Sequence, residues 1–183
     1  MNVGPFPEPA QPPESFSTYR QLVLDVAARH AYPADLLAAQ CGAESGWHAK
    51  AKSRVGALGL MQFMPATWAE WGDRQDATDP EASLDAGARY MLWLGGQVRT
   101  WESPVEAALA AYNWGLGNLR KARAAAIVAG AGLLHLPPAE VPRVHSTAWL
   151  ALEQHVPKET RDYVSRILGS RARYAAVLAE VRA

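Results

Sequence analysis

Apolar positions recur along this chain with helical spacing, and no Val/Ile/Thr alternation marks a strand. The pattern predicts a mainly α protein. Thr18, with Gln21 three residues later, reads as a capping box opening a first helix that runs to about His30. A second helix is expected after Pro33, with Asp35 in the first turn, where the helix dipole favours a carboxylate. Leu37, Cys41 and Glu44 follow at i, i+4 and i+7 and so share one face of that helix. Two are apolar and the third is a carboxylic acid in the last turn. Gly46 is placed to end the helix.

Residues 48–60 read as a loop or a very small β excursion, with Gly56 and Gly59 as turn points. Pro65 fits the first position of a short helix through Trp71. Asp79-Pro80 opens another helix, striped by Leu84, Ala88, Met91 and Val98. Ser103-Pro104-Val105-Glu106 has the form of a capping box for a helix that runs into Ala111-Tyr112-Asn113. Residues 116–156 read as less regular, interrupted by Pro137, Pro138 and Pro142. A last helix is expected from about Lys158, with Tyr163, Ile167, Tyr174, Leu178 and Val181 facing inward. Residues 1–16 read as an extended, proline-rich arm, and residues 17–183 as a single domain.

Composition narrows the function classes. Hydrophobic residues make up 49% of the chain and charged residues 20%, the profile of a soluble globular protein. The formal net charge is zero, so no electrostatic footprint for nucleic acid is expected. The longest apolar run, Ala124 to Leu134, falls short of the ~20 residues a bilayer span needs. One cysteine and five scattered histidines offer no metal-ligand spacing, so neither a metal nor another cofactor is expected. The first residues lack the basic start and apolar core of a secretory signal. Either the protein reaches its target without a signal of its own, or the sequence shown lacks one.

Four local signatures occur in order: Glu44-Ser45; Gly59-Leu60-Met61-Gln62 with Phe63-Met64-Pro65; Ala111-Tyr112-Asn113; and Glu159-Thr160-Arg161-Asp162-Tyr163-Val164. Together they make the chain resemble the soluble lytic transglycosylase family of peptidoglycan-cleaving enzymes, over roughly residues 20–175. The resemblance implies a lysozyme-like helical fold and a substrate of GlcNAc-MurNAc glycan strands, cleaved at the cell wall. A monomer is expected, and, with no signal recognised, a phage lysis or virion-delivered enzyme or a domain cut from a larger protein. It also implies that Glu44 is the sole catalytic acid and base.

The physical case for Glu44 stands beside the resemblance. Cleaving a glycosidic bond requires a proton on the leaving oxygen near neutral pH, and a carboxyl keeps one there only in a partly desolvated, apolar setting. Ordinary glycosidases add a second carboxylate, about 5–5.5 Å away for retention or about 6.5–9.5 Å for inversion. Between Glu44 and Gln62 the chain has no other Asp or Glu. The resemblance implies that the substrate's own N-acetyl group replaces the second carboxylate, and that the muramic C6 hydroxyl attacks C1 to close a 1,6-anhydro ring.

Other site residues follow from the same resemblance. Ser53, nine residues after Glu44, is expected near substrate and acid. Gln62 offers both a donor and an acceptor to sugar hydroxyls and acetamides, and Met64 is expected to line the groove. Tyr112 and Asn113 are expected on the acetamide-binding side, Tyr112 having a core aromatic as its bland alternative. Tyr163 is expected to bring a hydroxyl near the carboxyl, and Glu159 to hold the site together. Ser45 either holds the helix end or is a simple polar terminus. Two other readings stay open: a goose-type lysozyme-like hydrolase, and a non-catalytic wall-binding or virion module.

Overall fold

A computed structural model describes residues 12–132 and 149–180 of the chain. The arm through residue 11, the prolines at 137, 138 and 142, and Val181 lie outside the described residues. The elements are α1 (Glu14–His30), α2 (Ala34–Ser45), α3 (Pro65–Trp71), α4 (Pro80–Val98), α5 (Pro104–Trp114), α6 (Leu116–Gly132), α7 (Trp149–Leu152) and α8 (Lys158–Ala179), with one 3-10 turn at Glu153–His155 before α8. The β content of the described residues is two isolated antiparallel bridges, Lys52 with Leu58 and Leu58 with Phe63. The fold is therefore mainly α, with the small β excursion close to where turn glycines predicted it. No helix among the described residues is long and apolar enough to cross a membrane.

Two predicted boundaries are corrected. The first helix begins at Glu14, ahead of Thr18, because Phe16 is drawn into the core and carries the helix back with it. Thr18 is then inside the helix, and Gln21 bonds Asp25 at 2.8 Å instead of completing a capping box. Residues 116–132 form a continuous helix rather than an irregular stretch. Its inward stripe is Leu119, Ala122 and Ala126, small residues whose period is easily overlooked among the flanking alanines. The predicted capping box at Ser103 is also absent: Ser103 Oγ accepts the Trp149 amide at 3.1 Å rather than an amide of α5.

The described residues divide into two compact units, those within 1–90 and 166–183, and those within 91–165. In the first, α1 packs on α2, and Val23, Leu37, Leu60, Met61, Leu84 and Ile167 are fully buried. α1 is fastened to α4 by ions. Arg29 reaches Glu81 at 2.8 Å and Asp85 at 2.9 Å, while His30 Nε2 lies 2.7 Å from Asp85. Arg89 completes the set, with Nε 2.9 Å from Asp85 and Nη2 2.6 Å from Asp73. Burial works to raise the Asp85 carboxyl, but the hydrogen bonds from His30, Arg89 and Arg29 outweigh it and hold it at about 2. In the second unit α5 packs on α6 and α6 on α7, around Leu94, Val98, Leu109 and Leu119.

Candidate active site

Helix α2 is buried nearly all round from Leu36 to Cys41, and its last turn comes toward the surface. Glu44 is in that turn and is half-buried. Gly46 ends the helix in the left-handed region (φ 59°, ψ 28°), its N–H bonded to the Gly42 carbonyl at 3.1 Å. The end of α2 carries partial negative charge from its terminal carbonyls. Below it, Cys41 is 0% exposed and its thiol donates to the Leu60 carbonyl at 3.6 Å. Burial pushes that thiol well above its ordinary range, and the Glu44 charge adds to the effect. Cys41 therefore stays a neutral, apolar support one turn beneath the carboxyl.

Ser45 turns back on its own helix, its Oγ donating to the Cys41 carbonyl at 3.3 Å. Its carbonyl in turn accepts the His48 amide at 3.3 Å and His48 Nδ1 at 2.9 Å. Trp47 leaves the helix with φ 69° and is buried away from solvent. Its indole N–H donates to the Tyr174 hydroxyl at 2.9 Å, and its ring packs on Phe16 and Tyr19. The Tyr174 hydroxyl also seats against Gly42, where a Cβ would lie 2.2 Å away. This aromatic knot joins the start of α1, the end of α2 and the far half of α8.

The loop after α2 is held by the side chains predicted to serve the site. Ser53 Oγ accepts the Ala57 amide at 2.9 Å and closes the turn over residues 53–57. Gln62, with φ 49°, folds its amide back, and Nε2 donates to the Gly59 carbonyl at 2.9 Å and the Ala51 carbonyl at 3.2 Å. The donor expected to face a sugar is thus engaged by the loop. Gly59 is required by packing: at φ 78° its Cβ would lie 1.9 Å from the Ala77 carbonyl oxygen. Met61 is core, whereas Met64 is 43% exposed at the head of α3.

Glu44, Ser45, Ser53, Gln62 and Met64 all belong to the first unit; Tyr112, Asn113, Glu159 and Tyr163 belong to the second. Tyr112 is half-buried and Asn113 exposed at the end of α5, which Gly115 terminates at φ 92°. Thr160, buried in the first turn of α8, donates to Asn113 Oδ1 at 2.8 Å. Glu159 is exposed in that turn, where the dipole favours a carboxylate, and Tyr163 is 3% exposed. Sequence reasoning missed Thr160 and Tyr174 as supports. The signal for Thr160 was available: Thr160, Tyr163, Val164 and Ile167 follow the i, i+3, i+4, i+7 rule for an inward face.

The family model described as the transglycosylase SLT domain matches residues 21–129. The chain belongs to that family. The match includes every predicted site residue from Glu44 to Asn113 and stops before Glu159 and Tyr163. A membrane-bound lytic murein transglycosylase F from Alteromonas mediterranea is 41% identical over 96 residues, 48% of this chain and 19% of that protein. One from Pasteurella multocida is 45% identical over 91 residues, 48% of this chain and 18% of the relative. This chain thus spans about a fifth of the length of these two curated relatives. The crystal structure of the 70 kDa soluble lytic transglycosylase from Escherichia coli superposes with a TM-score of 0.65 at 26% identity, covering 87% of this chain and 24% of that one. The lysozyme-like helical fold implied by the sequence resemblance is that of this structural relative.

Proposed function

We propose that this chain is a peptidoglycan lytic transglycosylase in which Glu44 acts first as acid and then as base. The observation that carries the reading is the position of Glu44, half-buried in the last turn of a buried helix, above a neutral Cys41, in a chain of the SLT domain family. In the first step Glu44 gives its proton to the glycosidic oxygen between MurNAc C1 and GlcNAc O4. The C1–O bond breaks, and the N-acetyl oxygen of the muramic sugar stabilises the positive charge at C1. In the second step the Glu44 carboxylate takes the proton of the C6 hydroxyl, O6 bonds to C1, and the 1,6-anhydro ring closes without consuming water. The acid is restored at the end of the cycle.

In this reading residues 17–183 act as one catalytic domain at the cell wall, reached from the periplasm or by delivery from a virion. Gln62, Met64, Tyr112 and Asn113 contact the glycan. Tyr163 steadies the ionised form of Glu44, and Ser45, Ser53 and Glu159 hold the site together. With its amide nitrogen engaged at Ala51 and Gly59, Gln62 meets the sugar through Oε1 and selects a hydroxyl or N–H donor.

The test is mass spectrometry of purified peptidoglycan digested by wild type and by Glu44→Gln. Wild type is expected to release anhydro-muramyl products, and the variant to lose about 10²–10⁴-fold in rate. Reducing-end products from wild type would establish a hydrolase instead. Equal digestion by both proteins would remove Glu44 from the mechanism.

A further inference from the structure

A cavity of about 160 Å³ lies between α2 and α8 in the first unit. Its apolar walls are Ala39 and Ala43 of α2, Pro12 and Pro13 ahead of α1, and Tyr174 of α8. α8 adds Arg166, Ser170 and Arg173 at i, i+4 and i+7, so the three share one face. The charge there is one-sided. From Tyr163 to Ala179 the chain has no carboxylate, yet it has Arg166, Arg171 and Arg173. Arg171 is neutralised by Asp35 at 2.7 Å, and Lys158 at the head of the same helix by Asp162. Arg166 and Arg173 hold no acid among the described residues. Arg173 Nε is also buried without a hydrogen-bond partner among those residues. A charged N–H donor kept from water is costly unless an acceptor reaches it.

We propose that this cavity binds a phosphate group, with Arg166 and Arg173 pairing its oxygens. The volume falls below the roughly 300–1,000 Å³ of pockets for whole small molecules, so the cavity suits one compact group rather than a saccharide. Two guanidiniums that reach it from positions two helical turns apart approach an anion from different sides. Phosphate accepts from several directions at once, because its oxygens are arranged tetrahedrally. A carboxylate has two oxygens in one plane and is matched by a single bidentate guanidinium. Ser170 Oγ donates its proton to the Ile167 carbonyl at 2.9 Å, so recognition falls to the arginines. An oxygen of the phosphate supplies the acceptor that Arg173 Nε lacks. Ala43 in the cavity wall directly precedes Glu44, so a bound phosphate braces the last turn of α2 from its α8 side. Two sources share this chemistry: free phosphate and the headgroup of an anionic phospholipid.

The test is a thermal-melt titration of the full chain with sodium phosphate, against sodium chloride at equal ionic strength. Phosphate is expected to raise the melting temperature as a ligand of the folded state does, and chloride is not. Arg166 is exposed, so Arg166→Gln keeps the fold and should weaken phosphate by about 10-fold or more. Arg173→Lys keeps the charge, loses the planar fork and should weaken phosphate as well. Arg99→Gln, at another exposed arginine, should leave the affinity unchanged. A phosphate response matched by chloride overturns the proposal, as does one that both Arg166→Gln and Arg173→Lys leave intact. Equal affinity for acetate makes this a carboxylate site and overturns it too. Vesicles of phosphatidylglycerol separate the two sources. Vesicles that bind wild type but not Arg166→Gln assign the group to a lipid headgroup, whereas phosphate binding without vesicle binding assigns it to soluble phosphate; either result upholds the site. No arm reads glycan cleavage, so this site and the chemistry of Glu44 fail separately.

Discussion

The hydroxyl of Thr160 donates to Oδ1 of Asn113 across 2.8 Å and 47 residues of sequence. Oδ1 is the acceptor half of that amide, so the bond leaves Nδ2 as its donor half. Under the proposed function that donor meets a carbonyl of the glycan, such as that of an acetamide. Thr160→Val is expected to raise KM more than it lowers kcat, with a stability loss of about 1–2 kcal/mol. Thr160→Ser should restore the hydroxyl and most of the affinity. Steady-state kinetics on soluble glycan fragments, read beside thermal melts, checks this. A Ser variant as impaired as the Val variant would mean that the methyl group, and not the hydrogen bond, matters.

Tyr174 and Gly42 are fitted to each other as tightly as a side chain allows. Gly42→Ala would put a methyl 2.2 Å from the Tyr174 hydroxyl, next to the turn that holds Glu44. The expected cost is about 1–3 kcal/mol, with lost activity as the end of α2 shifts. Tyr174→Phe removes the acceptor of the buried Trp47 indole N–H and should cost about 1–3 kcal/mol. In the double variant the phenylalanine makes room for the new methyl, so the two losses should combine to less than their sum. Denaturant titration of the four proteins measures that coupling.

Gly56 and Gly59 both have positive φ but differ in surroundings. Gly56→Ala meets open space and pays only the left-handed backbone, about 1–2 kcal/mol. Gly59→Ala must also displace the Ala77 backbone carbonyl from 1.9 Å, so its loss should exceed that of Gly56→Ala by several-fold or prevent folding. Similar melting temperatures for the two variants would contradict the packing role given to Gly59.

Asp85 gives the fold an acid limit. Its carboxyl is held at about 2 in the folded chain, against an ordinary value of 3.8. The unfolded chain therefore binds this proton first as pH falls. The stabilisation is complete above about pH 4 and is lost as pH drops toward 2. Facing Asp85 are Arg29 and His30 from α1 and Arg89 from its own helix, with Glu81 and Asp73 on the outer sides of the arginines. Asp85→Asn should lower stability at pH 7 and flatten the fall between pH 4 and 2. Melting temperatures over pH 2–7 for both proteins test this, and parallel curves would show that other acids set the limit.

The helix carrying Glu44 was legible because local signals agreed. Pro33 fixes its start, Gly46 its end, and the Leu37–Cys41 spacing its inward face. The loop glycines and Pro65 were legible for the same reason. What the sequence hid was non-local. Phe16 extends α1 backward because it packs on Trp47 and Tyr174, and Tyr174 lies 127 residues from Trp47. α6 was obscured by alanine, which propensity favours in a helix but which leaves only a faint apolar stripe. Gln62 was read from side-chain chemistry as donor and acceptor together, and only the folded loop shows that the donor is engaged.

Cys41 is the chain's one thiol, and its sulfur lies sealed under the turn that holds Glu44. An alkylating reagent reaches it only when the end of α2 opens, since burial also keeps it from ionising in place. Its labelling rate is therefore a clock for local opening at this one position, read without adding a probe or altering a residue. A glycan that closes over Glu44 should slow that clock, and the slowing measures how much the bound sugar steadies the helix end.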